Sequence, residues 1–313
     1  MITRLTDSPA EAATFIRKGG IVAFPTETVY GLGADVFNEE AVRRIFAAKE
    51  RPADNPLIAH VAESEDISLL TDQLSQDARR LITAFFPGPL TLVLRKNSRV
   101  PYIATAGLET IGVRMPSHAV AREFLKSCGV PVVAPSANLS GRPSPTTWQA
   151  VYEDLDGRID CILQGDRTDI GIESTVVDCS SETPVVLRKG AVSLERLREV
   201  VPEIVDESRD PDSHLRSPGL RHRHYTPRAD VIIVYRDREV RGGDRDAYIG
   251  LSEPPEGFRL SRVCASIDDY AAALYEFFRE CDRQAVERIY CESVPQLGIG
   301  AALMDRIRRA SGG

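Results

Sequence analysis

Lysine is scarce in this 313-residue chain, with five against thirty-four arginines, so a lysine inside a motif stands out. Basic charge is short overall: 39 Lys and Arg against 46 Asp and Glu leave a formal net charge of −7. That argues against a broad surface for coating nucleic acid, which favours a basic excess, but leaves room for a local basic pocket. No apolar run approaches the roughly 20 residues of a membrane helix. The opening Met1-Ile2-Thr3-Arg4-Leu5 has no signal-peptide core. The six cysteines, at 128, 161, 179, 264, 281 and 291, form no C-x-x-C pair and no zinc-like spacing with histidine. They read as small buried apolar side chains in a reducing compartment, so a soluble cytoplasmic protein is expected. A Walker A loop, a Ser-His-Asp signature and paired metal-binding carboxylates are all missing, and Gly31-x-Gly33 is too slight to mark a dinucleotide site.

What is present suits a globular chain of two domains: 42% hydrophobic and 27% charged residues over this length. Ser8, Pro9 and Glu11 predict a capped helix start with a capping box, and Gly19-Gly20 its end. Ile21 to Phe24 reads as a short strand buried on both faces. Helices follow from Asn38 to Lys49, Ser75 to Phe86, His118 to Lys126 and Leu194 to Val200. Between them strands are expected at 57–61, 90–94, 110–114 and 130–134, with weaker ones near Cys161, at 175–178 and at 185–188. This alternation predicts an α/β fold with a mostly covered sheet over residues 1–205. Residues 206–229 are polar and turn-rich, carry three of the five histidines, and mark a boundary. A smaller α/β unit is expected over 230–313, with strands at 231–235, 248–251 and 289–291 and helices at 268–281 and 298–309.

Several segments carry chemistry. Lys49-Glu50-Arg51-Pro52-Ala53-Asp54-Asn55-Pro56 sets two cations and an amide on a loop stiffened by two prolines. A point charge beside a planar fork of donors suits a polyphosphate, although a solvated helix end would look similar. His60 follows an apolar strand and reads equally as a core histidine. Arg114 ends another such strand, where an arginine needs a partner: a ligand carboxylate or phosphate, or an internal acid. Arg188 repeats that placement. The loop from Pro131 through Ser136, Asn138 and Ser144 to Thr147 offers hydroxyls, an amide and a guanidinium but no carboxylate, which suits an anion beyond strand ends. Glu27 could serve as an acid or base but has no obvious partner. His222-x-His224 could hold a metal or lie solvated. The inventory is cationic and neutral-polar, as nucleotidyl chemistry by positioning and charge stabilisation requires.

Taken together, five motifs occur in order: Phe24-Pro25-Thr26-Glu27-Thr28-Val29-Tyr30-Gly31-Leu32-Gly33, Lys49-x-Arg51-Pro52 with Asn55-Pro56-Leu57, Phe86-Pro87-Gly88-Pro89-Leu90-Thr91, Val113-Arg114-x-Pro116 and Ala134-Pro135-Ser136-Ala137-Asn138. The chain strongly resembles the YrdC/Sua5 family of threonylcarbamoyl-AMP synthases. Ser217-Pro218-Gly219 with His224-Tyr225-x-Pro227 resembles the longer, Sua5-type members. The resemblance implies a YrdC-like twisted mixed sheet with flanking helices and a smaller Rossmann-like C-terminal domain. It implies synthesis of threonylcarbamoyl-AMP and diphosphate from L-threonine, bicarbonate and ATP, with Mg2+ on the nucleotide and no tightly bound cofactor. The product would feed N6-threonylcarbamoylation of adenosine 37 in tRNA, through a separate transferase complex. The resemblance places the threonine pocket on Thr28, His60, Arg114, Ala134 and Ser174. It places ATP contacts on Arg51, Asn55, Thr110, Ser136, Asn138, Ser144, Arg188 and Tyr225, with Lys49 and Arg51 acting on the reacting phosphates. Tyr225 would bring the linker over the nucleotide as a lid. Two competing readings are a carbamoyl-transfer enzyme of the hydrogenase-maturation type and a module for double-stranded RNA; weak RNA binding beside the main activity would fit the latter.

Overall fold

The computed structural model describes residues 2–208, 226–235, 241–254 and 256–312. Among them two sheets form. The larger takes its strands from β1 (Arg4–Thr6), β2 (Val22–Phe24), β3 (Gly31–Asp35), β4 (Ile58–His60), β5 (Leu90–Arg95), β6 (Thr110–Arg114), β7 (Val132–Val133), β8 (Cys161–Leu163), β9 (Thr175–Asp178), β10 (Val185–Arg188) and β11 (Val205–Asp206). Their order is β1-β8-β2-β3-β7-β4-β6-β5-β9-β10-β11, with parallel and antiparallel pairs mixed. The mixed, covered sheet expected from the sequence is what forms.

Helices cover this sheet. Ser8 caps α1 (Pro9–Arg17) by accepting from the Glu11 amide, with a proline in the first turn. The expected capping box is not reciprocal. Glu11 turns away to accept from Arg4 Nε and Thr6 Oγ1, and Thr6 Oγ1 takes the Ser8 amide instead. Asn38 caps α2 (Glu39–Lys49), and a left-handed Glu50 ends it, so the chain turns sharply after Lys49. Then come α3 (Gln76–Phe85), α4 (Ala119–Cys128), α5 (Trp148–Leu155) and α6 (Leu194–Val200). The ring of Phe24 packs on Phe124 of α4, with centroids 5.0 Å apart, so β2 is buried as its apolar run predicts.

The smaller sheet contains β12 (Asp230–Val234), β13 (Asp246–Gly250), β14 (Leu260–Val263) and β15 (Arg288–Glu292) in the order β12-β15-β13-β14, all parallel. It packs with α7 (Ile267–Arg283) and α8 (Ile299–Ala310). Two residues of the larger unit's loops, Val29 and Ile172, belong to this second apolar core. The join between the two units is therefore packed, not merely tethered.

Elements absent from the sequence reading are β1, β3, β11, β14, α5 and a 3-10 turn at Ser64–Leu69. Glycine normally weakens a strand, which hides β3 in the sequence. Here Val132 and the Phe24 ring fill the space beside Gly33: a Cβ there would sit 2.6 Å from Val132 Cγ1. β14 is exposed along most of its length and lacks the apolar pattern of a buried strand. No helix among the described residues is long and apolar enough to cross a membrane.

Candidate active site

Strand register decides what meets at the sheet. β4 and β6 run parallel with His60 opposite Arg114. β7 runs antiparallel to β4 with Val132 opposite His60, and the Ala134 amide bonds Ile58 O. Residues paired across a ladder share a face, so His60, Arg114 and Ala134 look onto the same space. Gly31, bridged to Ser136, leaves that space open. The resulting cleft holds about 690 Å³, mouth included.

Nine of the residues named from sequence line this cleft: Thr28, Arg51, His60, Arg114, Ala134, Ser136, Asn138, Ser174 and Arg188. Arg114 is one of its buried cations. Its Nη1 donates to Thr28 Oγ1 at 2.8 Å, and its Nη2 stands 2.7 Å from Glu27 Oε1. Glu27, which had no visible partner in the sequence, is thus the internal counter-ion of Arg114. Both Glu27 oxygens and the Nε and Nη2 of Arg114 make no aligned hydrogen bond among the described residues, so hydrogen-bonding capacity remains at the pair. Burial pushes the Glu27 carboxyl up, but the Arg114 charge together with polar contacts from Arg114 and the backbone holds the carboxyl below its ordinary range. His60 is driven down to about 3, by burial first and then by the Arg114 charge, so it is a neutral group. Its Nδ1 lies 3.2 Å from Ile58 O, and its ring meets Phe24 edge-on.

The Ser136-x-Asn138 turn is braced from inside. Ser136 Oγ donates to Asn138 Oδ1, and Asn138 Nδ2 donates to Leu139 O and Arg142 O. Beneath it lies Lys49, 2% exposed, with Nζ donating to Ser136 O at 2.5 Å and Asn138 O at 2.6 Å. Lys49 does not line the cleft. Burial, and secondarily the nearby Arg51 charge, lower its pKa well below the usual lysine value. Arg51 does line the cleft, and its Nη2 donates to Asn55 O across the proline loop.

On the other wall, Arg188 grips Ser174: its Nε and Nη2 donate to Ser174 O, and Nη2 also to Ser174 Oγ at 3.1 Å. Ser174 Oγ exchanges a hydrogen bond with Thr91 Oγ1. Ser144 is fully buried and donates to Glu173 Oε1 at 2.8 Å. Asn55, Ser144 and Thr110 are not among the lining residues; Thr110 opens β6 opposite Arg95, at the far end of the strand from Arg114. Tyr225, like His222 and His224, lies outside the described residues. Among the described residues no group of three or more His, Cys, Asp and Glu side chains comes together to hold a metal. Glu173 lines the cleft and is committed to Arg306, while Glu27 pairs with Arg114. Among the described residues the cleft thus offers no ligand set for a resident Mg2+.

Sequence reasoning missed two contributors, Glu173, which lines the cleft, and Asp154, which accepts from Arg142 Nη1 and the Leu139 amide; Arg142, the guanidinium of the 131–147 loop, lines the cleft as well. The signal for Glu173 was local: an acid in the small-residue loop Gly171-Ile172-Glu173-Ser174, directly before the apolar β9.

Known proteins resemble this chain across both units. A family model described as telomere recombination, spanning Sua5, YciO and YrdC, matches residues 14–190. A second, described as the threonylcarbamoyl-AMP synthase C-terminal domain, matches residues 192–312. The threonylcarbamoyl-AMP synthase of Pyrococcus abyssi is 43% identical, with 96% of this chain and 93% of that protein covered. The Bacillus subtilis enzyme of the same name is 41% identical over 97% of this chain and 93% of its own. The crystal structure of P. abyssi Sua5 complexed with L-threonine superposes with a TM-score of 0.89 at 39% identity, covering 99% of this chain and 97% of that one. Escherichia coli YciO, at 25% identity and a TM-score of 0.53, covers 60% of this chain and 94% of its own. The chain belongs to the Sua5/YrdC family of threonylcarbamoyl-AMP synthases.

Proposed function

We propose that this chain converts L-threonine, bicarbonate and ATP into threonylcarbamoyl-AMP, diphosphate and water. The observation that carries the reading is one cleft with two kinds of cationic grip. Arg114 sits with the Thr28 hydroxyl and the neutral His60, while Arg51 and Arg188 share the same space with the Ser136 turn. The first set suits an amino acid: Arg114 takes the carboxylate as a charge-assisted pair, and Thr28 and His60 provide polar contacts without further charge. The second suits a polyphosphate.

In the reaction, threonine's free amine attacks bicarbonate, expelling water to leave the carbamate. A carbamate oxygen then attacks the α-phosphorus of ATP, the bond from that phosphorus to the bridging oxygen breaks, and diphosphate leaves with the electron pair. Arg51 and Arg188 stabilise the charge gathering on the phosphates. Lys49 serves by holding Ser136 and Asn138 from beneath. Mg2+ enters with ATP as part of the substrate. No side chain forms a covalent intermediate.

The family reading further supports Thr28, His60, Arg114, Ala134 and Ser174 as threonine contacts. It supports Arg51, Asn55, Thr110, Ser136, Asn138, Ser144, Arg188 and Tyr225 as nucleotide contacts. We assign residues 1–205 to the catalytic unit, 206–229 to the connection and 230–313 to the second unit. The product would pass to a threonylcarbamoyl-transferase complex acting on tRNA adenosine 37. Diphosphate release measured with threonine or bicarbonate omitted in turn tests the activity. Release that ignores threonine would sink it.

A further inference from the structure

The wall of the cleft that carries Glu173 and Arg188 is held partly by the second unit. Glu173 lines the cleft and is 6% exposed. Its Oε1 accepts from Ser144 Oγ at 2.8 Å; its Oε2 accepts from Arg306 Nε at 2.7 Å and Tyr275 OH at 3.0 Å. Arg306 lies on α8 and Tyr275 on α7, both fully buried. Arg306 Nη2 also donates to Lys189 O, the residue after Arg188. One helical turn beyond Tyr275, Arg279 donates to Pro143 O at 2.6 Å and forms a two-pronged pair with Asp154.

Close packing fixes the same wall. Gly171, at φ 75°, lies against α7, where a Cβ would come within 2.5 Å of Ala272 Cα. A Cβ on Gly190 would sit 2.2 Å from the Thr175 amide nitrogen. The loop has no room to shift.

Charge gives the contact its meaning. A carboxylate facing a polyphosphate site repels its ligand unless a cation cancels it. Burial raises the Glu173 carboxyl, but Arg306 and then Arg188 pull it below the ordinary range, so it is ionised and needs that cancellation.

We propose that the second unit completes the nucleotide side of the cleft. Arg306, Tyr275 and Arg279 are positioning residues that hold Glu173 and the Pro143–Ser144 turn, and Arg306 neutralises a negative charge otherwise turned toward ATP. This rests on the assignment of that wall to the nucleotide in the proposed activity.

The test uses the full-length chain, with initial rates of diphosphate release at varied ATP and threonine, and ATP affinity by calorimetry. Arg306→Gln should raise KM and Kd for ATP about tenfold or more while threonine KM stays within about twofold, since it strips the buried Glu173 carboxylate of its main counter-charge and leaves Arg188 to serve both it and the phosphates. Adding Glu173→Gln to Arg306→Gln should restore most of the lost ATP affinity, because it removes that charge; a merely structural role predicts no rescue. Tyr275→Phe, which deletes one hydroxyl and keeps the ring, should raise KM for ATP about threefold. It carries the test if Arg306→Gln does not fold. Wild-type ATP affinity in both single variants, equal losses for ATP and threonine, or no rescue in the double variant would overturn the inference. Calorimetry reads ATP binding without turnover, so a wild type with no threonine-dependent release would sink the proposed activity alone.

Discussion

Arg114, which lines the cleft, forms a buried ion pair with Glu27, 2.7 Å apart, each side chain 5% exposed. Each would be costly alone in that position. The pair presets a guanidinium for a carboxylate while keeping the ligand-free protein neutral there.

Glu27→Gln leaves Arg114 without its counter-charge and should cost about 3 kcal/mol of stability. A threonine carboxylate then supplies the missing charge, so threonine should raise the melting temperature more in the variant than in the wild type. Thermal melts with and without threonine check this. A variant as stable as the wild type would remove Glu27 from the account.

Arg114→Ala and Arg51→Ala should fail differently. Loss of a two-pronged, charge-assisted contact is worth about 3 kcal/mol, so Arg114→Ala should raise threonine KM roughly a hundredfold with a small effect on ATP. Arg51→Ala should act mainly on ATP KM or on turnover. The opposite split, read from substrate-saturation kinetics, would reverse the two roles.

His60 has a folded pKa of about 3 against an ordinary 6.5. The unfolded chain therefore binds its proton first, and the fold loses stability as pH falls below 6.5. Between pH 7 and pH 5 this amounts to about 2 kcal/mol. His60→Gln should lack this acid loss, so urea unfolding of the two proteins should converge or cross as pH drops. Parallel stability curves would show that His60 is not the titrating group. Near neutrality His60 stays uncharged, so the wild type's threonine binding should not vary with its titration.

Lys49→Met removes both hydrogen bonds to the Ser136–Asn138 turn while keeping a long apolar stem. Hydrogen exchange in residues 136–142 should quicken, and ATP KM should rise about tenfold or more, as expected when a charged, buried donor is lost. Loss of turnover with exchange in that segment unchanged would place Lys49 on the phosphates themselves.

Much of this site was readable in one dimension. Apolar strands ending in Arg114 and Arg188, the proline-stiffened Lys49-x-Arg51 loop and the Ser136-x-Asn138 turn are local patterns, and each lies at or beside the cleft. The Ser8 cap was equally legible, because its partner lies three residues away. Gly31–Asp35 was not, because its pairing is justified only by the Phe24 ring and Val132 beside it. Glu27 was visible without its partner, since Arg114 is far along the chain.

The sequence by itself determined the element types, the buried strands and the inventory of cations, hydroxyls and amides, all of which follow from short-range periodicity and side-chain chemistry. Only the tertiary structure decided which cations face the ligand. Arg51, Arg114 and Arg188 open onto the cleft, while Lys49 beneath the turn and Arg306 behind Glu173 are spent on the protein. Lys49 Nζ donates to Ser136 O and Asn138 O beneath the turn, and Arg306, 133 residues from Glu173, pairs with it. The reason is physical. A buried charge is useful only with a partner, and strand register and helix packing, not spacing along the chain, bring partners together.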